Sequence, residues 1–170
     1  MITIRQEQPQ DLKRIRAVNR RAFGQTQEAD LVDKLRQNCH ELLSLVAVMQ
    51  NKVVGHILFT PVTIESADRT VRGMGLAPMA VLPEYQRQGI GSKLVRTGIE
   101  QLRKWECPFI IVLGHAEYYP RFDFEPASNY GIRSEWKVED DTFMILVLNE
   151  FEMHGISGVA RYLPEFAEAM

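Results

Sequence analysis

A strand end, a turn carrying two glycines and an amphipathic helix follow one another in Val81-Leu82-Pro83-Glu84-Tyr85-Gln86-Arg87-Gln88-Gly89-Ile90-Gly91-Ser92-Lys93-Leu94. A strand that feeds a helix through a tight turn points to an α/β architecture. Glycine lets the backbone come close to a bulky polyanion. The first-turn N–H groups of a helix have no carbonyl partners within it, so they can donate to phosphate oxygens. Arg87 adds a cation at the rim of such a site. Two other glycine-rich signatures fit less well. The GxGxxG dinucleotide fingerprint needs a third glycine, but Gly89-Ile90-Gly91 runs on into Ser92, Lys93 and Leu94. The Walker A pattern places Lys before Ser or Thr, and Gly91-Ser92-Lys93 reverses that order. A strand-to-helix turn with no ligand is the competing reading.

The rest of the chain supports an α/β mixture. Ile2 and Ile4 alternate with polar residues and predict a strand over 2–6. Asp11, Leu12, Ile15, Val18 and Phe23 recur at helical spacing, with Pro9 tolerated at the start. A second helix is expected over 28–37. Residues 44–49 and 53–59 read as a hairpin turning at Asn51 and Lys52. Pro78 interrupts the apolar strand over 75–82, because proline has no N–H for a regular ladder. A long helix runs from about Gln88 to Trp105, with Gly98 inside it where helix and sheet approach closely. Phe109-Ile110-Ile111-Val112-Leu113-Gly114 is continuously apolar and predicts a buried central strand. A short helix is expected over 116–122 and strands near 130–134 and 142–148. Pro164 and the residues after it permit a short terminal turn of helix.

The chain has 170 residues, a length suited to one domain with a real core. One domain is expected over 1–150, with 151–170 as a C-terminal extension packed on it. The 20 basic and 22 acidic residues nearly cancel, which argues against general nucleic-acid binding. Cys39 and Cys107 form no CxxC motif, and the four histidines are scattered, so no metal is expected. No disulfide framework is implied, so a reducing cytoplasm is the expected compartment. No apolar run is long enough for a membrane-spanning helix, and no membrane association is expected.

The segment Gln86-Arg87-Gln88-Gly89-Ile90-Gly91 resembles the acyl-CoA-binding motif Gln/Arg-x-x-Gly-x-Gly/Ala of the GNAT superfamily of N-acetyltransferases. Met79-Ala80-Val81-Leu82-Pro83-Glu84-Tyr85 is similar to the strand and turn that precede it there. Tyr118-Tyr119-Pro120-Arg121-Phe122-Asp123-Phe124-Glu125-Pro126 resembles the family's later Tyr-x-x-x-Gly-Phe-x-Pro segment, with Asp123 in place of the glycine. That replacement predicts a slightly altered turn. The resemblance runs from about Ile2 to residue 148. A narrower resemblance, to a bacterial subgroup of small uncharacterised acetyltransferases, rests on Glu28, Gly55-His56, Tyr118-Tyr119 and Tyr162-Leu163-Pro164-Glu165-Phe166.

The resemblance implies a single-domain acyl-CoA N-acyltransferase fold, with a mixed, twisted sheet flanked by helices. Two central parallel strands, here 75–82 and 109–114, would splay apart. Gln86, Arg87, Gln88, Gly89, Ile90, Gly91 and Ser92 would hold the CoA pyrophosphate. Met79, Ala80 and Val81 would pair their backbone groups with pantetheine, and His115, Tyr118 and Arg121 would add cofactor contacts. The implied reaction is direct attack of a neutral amine on the thioester of acetyl-CoA in a ternary complex. A lysine-like amine is mostly protonated at neutral pH, so it must first lose a proton. Tyr119 would protonate the departing thiolate or hold it by a hydrogen bond. Glu28 and His56 are the candidate bases, His56 being placed at the edge of a core strand. Each has a bland reading too: Tyr119 as a core-edge aromatic, Glu28 as a solvated helix residue, His56 and His115 as structural histidines. Glu84 beside the phosphate loop raises a question of repulsion. The acceptor would be a small-molecule amine or a protein amino group, and the enzyme a monomer or homodimer. A longer acyl donor, or a CoA-sensing or protein-interaction domain without catalysis, are the alternatives.

Overall fold

The computed structural model describes residues 1–169. Nine strands and four α-helices follow in the order β1 (Ile2–Gln6), α1 (Leu12–Phe23), α2 (Gln27–Asn38), β2 (Leu43–Met49), β3 (Lys52–Glu65), β4 (Thr70–Val81), α3 (Ile90–Lys104), β5 (Phe109–Leu113), β6 (Glu125–Pro126), β7 (Ile132–Ser134), β8 (Phe143–Val147), α4 (Glu150–Met153) and β9 (Gly158–Arg161). The hydrogen-bonding order is β1-β2-β3-β4-β5-β8-β6, with β9 paired to β3 and β7. Parallel pairs (β4 with β5, β7 with β9) and antiparallel pairs occur together. This is the single-domain α/β architecture expected, a mixed twisted sheet flanked by helices.

Two compact units make up the chain. The first comprises residues 1–60, 77–100 and those from Pro164 on. Here α1 buries Ile15 and Val18, and α2 buries Leu31, Val32 and Leu35, the stripes that helical periodicity predicts. Each such side chain removed from water contributes about 1.5–3 kcal/mol. Arg16 ties the two helices together through Asp30 at 2.8 Å and Asp33 at 2.9 Å. The β2–β3 hairpin turns on Gln50 and Asn51, both at positive φ (51° and 63°), one residue earlier than expected. Two left-handed central residues match the twist of the flanking strands, and that requirement sets the turn. Gly98 is the close approach foreseen: a Cβ there would lie 2.4 Å from the Phe59 ring.

The second unit comprises residues 61–76 and 101–163. Its centre is β5, paired in parallel with β4 at Met74–Leu76 and antiparallel with β8 along its length. The β4 register with β5 ends at Leu76, two residues before Pro78, as the proline predicts. The helix expected over 116–122 is a 3-10 turn, Tyr119–Phe122. Residues 158–161 of the expected extension form β9, which pairs with Thr63, Ile64 and Glu65 of β3. The Tyr162 ring is buried and packs on Trp136 with centroids 5.0 Å apart. Its N–H donates to Glu135 at 3.0 Å.

Candidate active site

In the first unit, local bonds shape the turn between β4 and α3. Leu82 N–H donates to Val54 C=O on β3 at 2.9 Å, and Tyr85 N–H to Leu82 C=O at 2.9 Å, closing a 3-10 turn at Pro83–Tyr85. The Gln86 amide folds back to donate to Val81 C=O at 2.9 Å. Gln86 therefore braces the loop through its side chain and also through its N–H, which donates to Pro83 C=O at 3.3 Å. Arg87 and Gly89 both take left-handed backbone, at φ 64° and 81°. A Cβ on Gly89 would meet nothing within 4 Å, so its requirement is conformational rather than steric. The bond from Lys93 N–H to Gly89 C=O at 3.1 Å then starts α3. Arg87, Gln88 and Gly89 are exposed, Gly91 and Ser92 half-buried, and Ile90 is buried under the helix.

Glu84 is the sole acid between Val81 and Leu94. Its two carboxylate oxygens accept from Arg21 Nη2, in the last turn of α1, at 2.9 and 3.0 Å. Lys52 Nζ stands 5.8 Å from the centre of the adjoining Tyr85 ring. Glu84's own N–H, the Arg21 hydrogen bond and the charges of Arg21 and Lys52 hold the carboxyl below the usual range.

In the second unit, aromatic residues gather after β5. His115 C=O accepts from Tyr118 N–H at 3.1 Å and Tyr119 N–H at 3.4 Å. Asp123 closes the 3-10 turn at φ 74°, donating its N–H to Pro120 C=O at 3.0 Å. The aspartate thus adopts the backbone that favours glycine at this place; Asp visits that region more readily than most side chains do. Tyr119 is buried, its ring edge-on to Tyr118 (5.1 Å) and Phe124 (5.7 Å). It leaves no room for a side chain at Gly114, where a Cβ would lie 2.7 Å from the ring. Burial, with Tyr118 nearby, pushes the Tyr119 phenol well above its ordinary pKa. The Tyr119 phenol therefore keeps its proton at neutral pH. The exposed Arg121 guanidinium stacks 4.5 Å from the Tyr118 ring centre, and Arg121 Nε donates to Tyr118 C=O at 3.0 Å. Burial, then Glu135 and Tyr119, also push up the Tyr162 phenol. In the sequence, Tyr162 stands out only within the subgroup resemblance of Tyr162-Leu163-Pro164-Glu165-Phe166.

The candidate bases differ in setting. Glu28, in the first turn of α2, is half-buried, and both its oxygens accept from Gln25 Nε2 at 3.1 Å. His56 is not at a strand edge. β3 lies between β2 and β4, and His56 pairs with Val46 at 0% exposure. Ser44 Oγ donates to the Glu7 carboxylate, so it accepts from His56 Nε2–H at 2.9 Å. His56 Nδ1 then accepts from Asn19 Nδ2 at 3.2 Å. Burial pushes the imidazole down to about 3, against the pull of the Glu7 charge and aided by Arg36. His115 is exposed at the end of β5. Burial pushes the Cys107 thiol up to about 11, and Sγ donates to Phe109 C=O at 3.1 Å, a setting that disfavours the thiolate. Among the described residues, no cluster of three or more His, Cys, Asp or Glu is placed to hold a metal. No described helix is long and apolar enough to cross a membrane.

Residues 3–127 match the acetyltransferase (GNAT) domain family. The chain belongs to the GNAT family. A GNAT relative in Escherichia coli K12, the uncharacterised N-acetyltransferase YhbS, is 33% identical over 164 residues, 96% of this chain and 97% of YhbS. A second, the uncharacterised N-acetyltransferase YjhQ of the same organism, is 49% identical over 120 residues, 69% of this chain and 66% of YjhQ. The crystal structure of E. coli YhbS in complex with CoA superposes with a TM-score of 0.90 at 32% identity, covering 98% of this chain and 92% of that one. A GNAT acetyltransferase from Brucella melitensis in complex with acetyl-CoA has a TM-score of 0.79 at 34% identity, covering 98% of both chains. GNAT membership thus accounts for the strand, glycine turn and helix with which the sequence is most specific.

Proposed function

We propose that this GNAT chain is an N-acetyltransferase that takes its acetyl group from acetyl-CoA and delivers it to a primary amine. The observation that carries this reading is the turn before α3. Its backbone reverses at Arg87 and Gly89 and leads, exposed, into the first turn of a 15-residue helix. A helix start beside a guanidinium fits the charge and geometry of phosphate oxygens. The relatives crystallised with CoA and acetyl-CoA support the same cosubstrate. When bound, acetyl-CoA supplies an activated thioester.

The chain's own groups take the following parts. Residues 86–92 hold the pyrophosphate, with Gln86 bracing the loop. Met79, Ala80 and Val81, beyond the β5 ladder, offer backbone groups to the pantetheine arm and an N–H to the thioester oxygen. Arg121, stacked on Tyr118, and His115 add cofactor contacts. Tyr119 donates a hydrogen bond to the departing sulfur. Its raised pKa favours holding the sulfur over surrendering the proton, because a thiol ionises near 8.5. Glu28 takes the amine proton; His56, enclosed and with both ring nitrogens engaged, serves the framework instead. The acceptor is a small amine or a protein amino group, and the enzyme works in the cytoplasm as a monomer or homodimer.

Calorimetry with acetyl-CoA tests the reading, comparing the native chain with a Gly89→Ala/Gly91→Ala variant checked for folding. Saturable native binding that weakens in the folded variant is expected. No native binding at millimolar ligand sinks the assignment. Turnover with propionyl- or succinyl-CoA but not acetyl-CoA moves the donor to a longer chain. Tight binding with no turnover over a broad amine panel favours a CoA-sensing or interaction domain.

A further inference from the structure

Glu84 poses an electrostatic problem. It is an acid two residues before Gln86, in a loop read here as the seat of a polyanion. Its carboxylate is held fully ionised rather than neutralised by protonation. The fold answers with cations from two other elements. Arg21, near the end of α1, binds both carboxylate oxygens through Nη2 at 2.9 and 3.0 Å. Lys52, at the start of β3, sits over the neighbouring Tyr85 ring at 5.8 Å. Arg21 and Glu84 are each nearly half exposed, 44% and 46%, so as a stabilising contact the pair is worth little. Its effect on a nearby charged ligand is a different quantity. An unpaired carboxylate repels each phosphate charge over roughly one Debye length, whereas a paired one presents a small dipole.

We propose that Arg21 is a positioning residue for acyl-CoA: it pairs the Glu84 carboxylate and so keeps the turn before the phosphate loop from repelling the cofactor. The inference rests on the reading of residues 86–92 as that loop. Arg21 thereby gives α1 a part in cofactor affinity although no motif includes it. The role separates cleanly from a direct contact between Arg21 and the cofactor. In a direct contact, loss of Arg21 is felt whatever stands at 84. In masking, loss of Arg21 matters only while Glu84 keeps its charge.

The test is a double-mutant cycle on the full chain: native, Arg21→Gln, Glu84→Gln and the double variant, each titrated calorimetrically with acetyl-CoA at low and high salt. Arg21→Gln should weaken binding by about two- to tenfold at low salt, with the loss shrinking as salt rises. Glu84→Gln should bind at least as tightly as the native chain. The double variant should return to the Glu84→Gln affinity, a rescue that damage to α1 would not give. Equal losses in Arg21→Gln and the double variant, or no loss in either, overturn the proposal while native binding upholds the loop. Absence of native binding overturns the loop reading and this inference with it.

Discussion

Ser44 Oγ lies 2.9 Å from His56 Nε2, and both side chains are buried. The contact is the middle of a chain that joins Asn19 of α1, His56 of β3, Ser44 of β2, Glu7 after β1 and Arg36 of α2. Arg36 closes it with bonds of 2.8 and 3.0 Å to Glu7. One polar thread therefore ties α1 and α2 to β2, β3 and the residue after β1, and each link fixes the proton position of the next.

That thread makes stability depend on pH with a definite sign. The unfolded His56 takes a proton near pH 6.5, whereas the native one resists it down to about 3. Stability is complete above 6.5 and falls as pH drops, the unfolding constant rising by up to about tenfold per pH unit. Burial raises the Glu7 pKa, but the hydrogen bonds from Arg36 and Ser44 and the charges of Arg36 and His56 outweigh it, leaving it lowered. Its contribution is present above its unfolded value and lost below it, adding a second acid-sensitive step in the same direction. Denaturant midpoints from pH 7.5 to 5 should fall for the native chain and change much less for His56→Gln. Parallel curves for the two would show that His56 is not the titrating group.

Gly98→Ala should destabilise the chain, although alanine is the better helix former. The added Cβ would sit 2.4 Å from a Phe59 ring that has 0% exposure. Overpacking of this kind costs about 1–3 kcal/mol, against about 1 kcal/mol gained in helix propensity. Urea denaturation reads the net effect. Adding Phe59→Leu should recover part of a loss that the second substitution would otherwise deepen.

Tyr119→Phe should lower kcat by about ten- to a hundredfold, the worth of one hydrogen bond to a charged sulfur. Acetyl-CoA affinity should change far less, because the phosphates are held elsewhere. The buried phenol keeps its proton well beyond neutrality, so the substitution should leave any basic limb of the rate profile in place. Steady-state kinetics across pH, beside calorimetry, tests both statements. Native kcat in the variant removes Tyr119 from the reaction.

Glu28→Gln should cut turnover while leaving acetyl-CoA binding intact, since α2 supplies no cofactor group in the proposed reaction. The amide still meets Gln25, so the local fold is kept. A variant as active as the native chain would pass the role of base to another group.

What the sequence made legible was mostly local. The glycine spacing of residues 86–91 is a backbone requirement, and left-handed Arg87 and Gly89 meet it within a few residues. β5 declares itself by an unbroken apolar run and α3 by helical periodicity. Pairings between distant segments were not legible. β3 runs on through Pro61 to Glu65. Its pairing with β2 ends at Phe59 and its pairing with β9 begins at Thr63, so Pro61 falls between those two ladders. β9 itself spans four residues, too short for a clear pattern. His56 misled because a histidine on a strand reads the same at an edge and in the core. Only the arrival of Asn19 and Ser44, 37 and 12 residues away, decides which.

The packing of Trp136 against Tyr162 has a practical side. The chain's two tryptophans, Trp105 and Trp136, both lie within residues 101–163, one exposed and one half-buried. Selectively excited tryptophan emission therefore watches one compact unit and not the other, while far-UV circular dichroism sees α1 and α2. Midpoints that coincide between the two signals mean a single cooperative transition; a gap means that β9 and its neighbours melt on their own schedule. The molecule carries a built-in spectroscopic label, confined to the half that holds Tyr119.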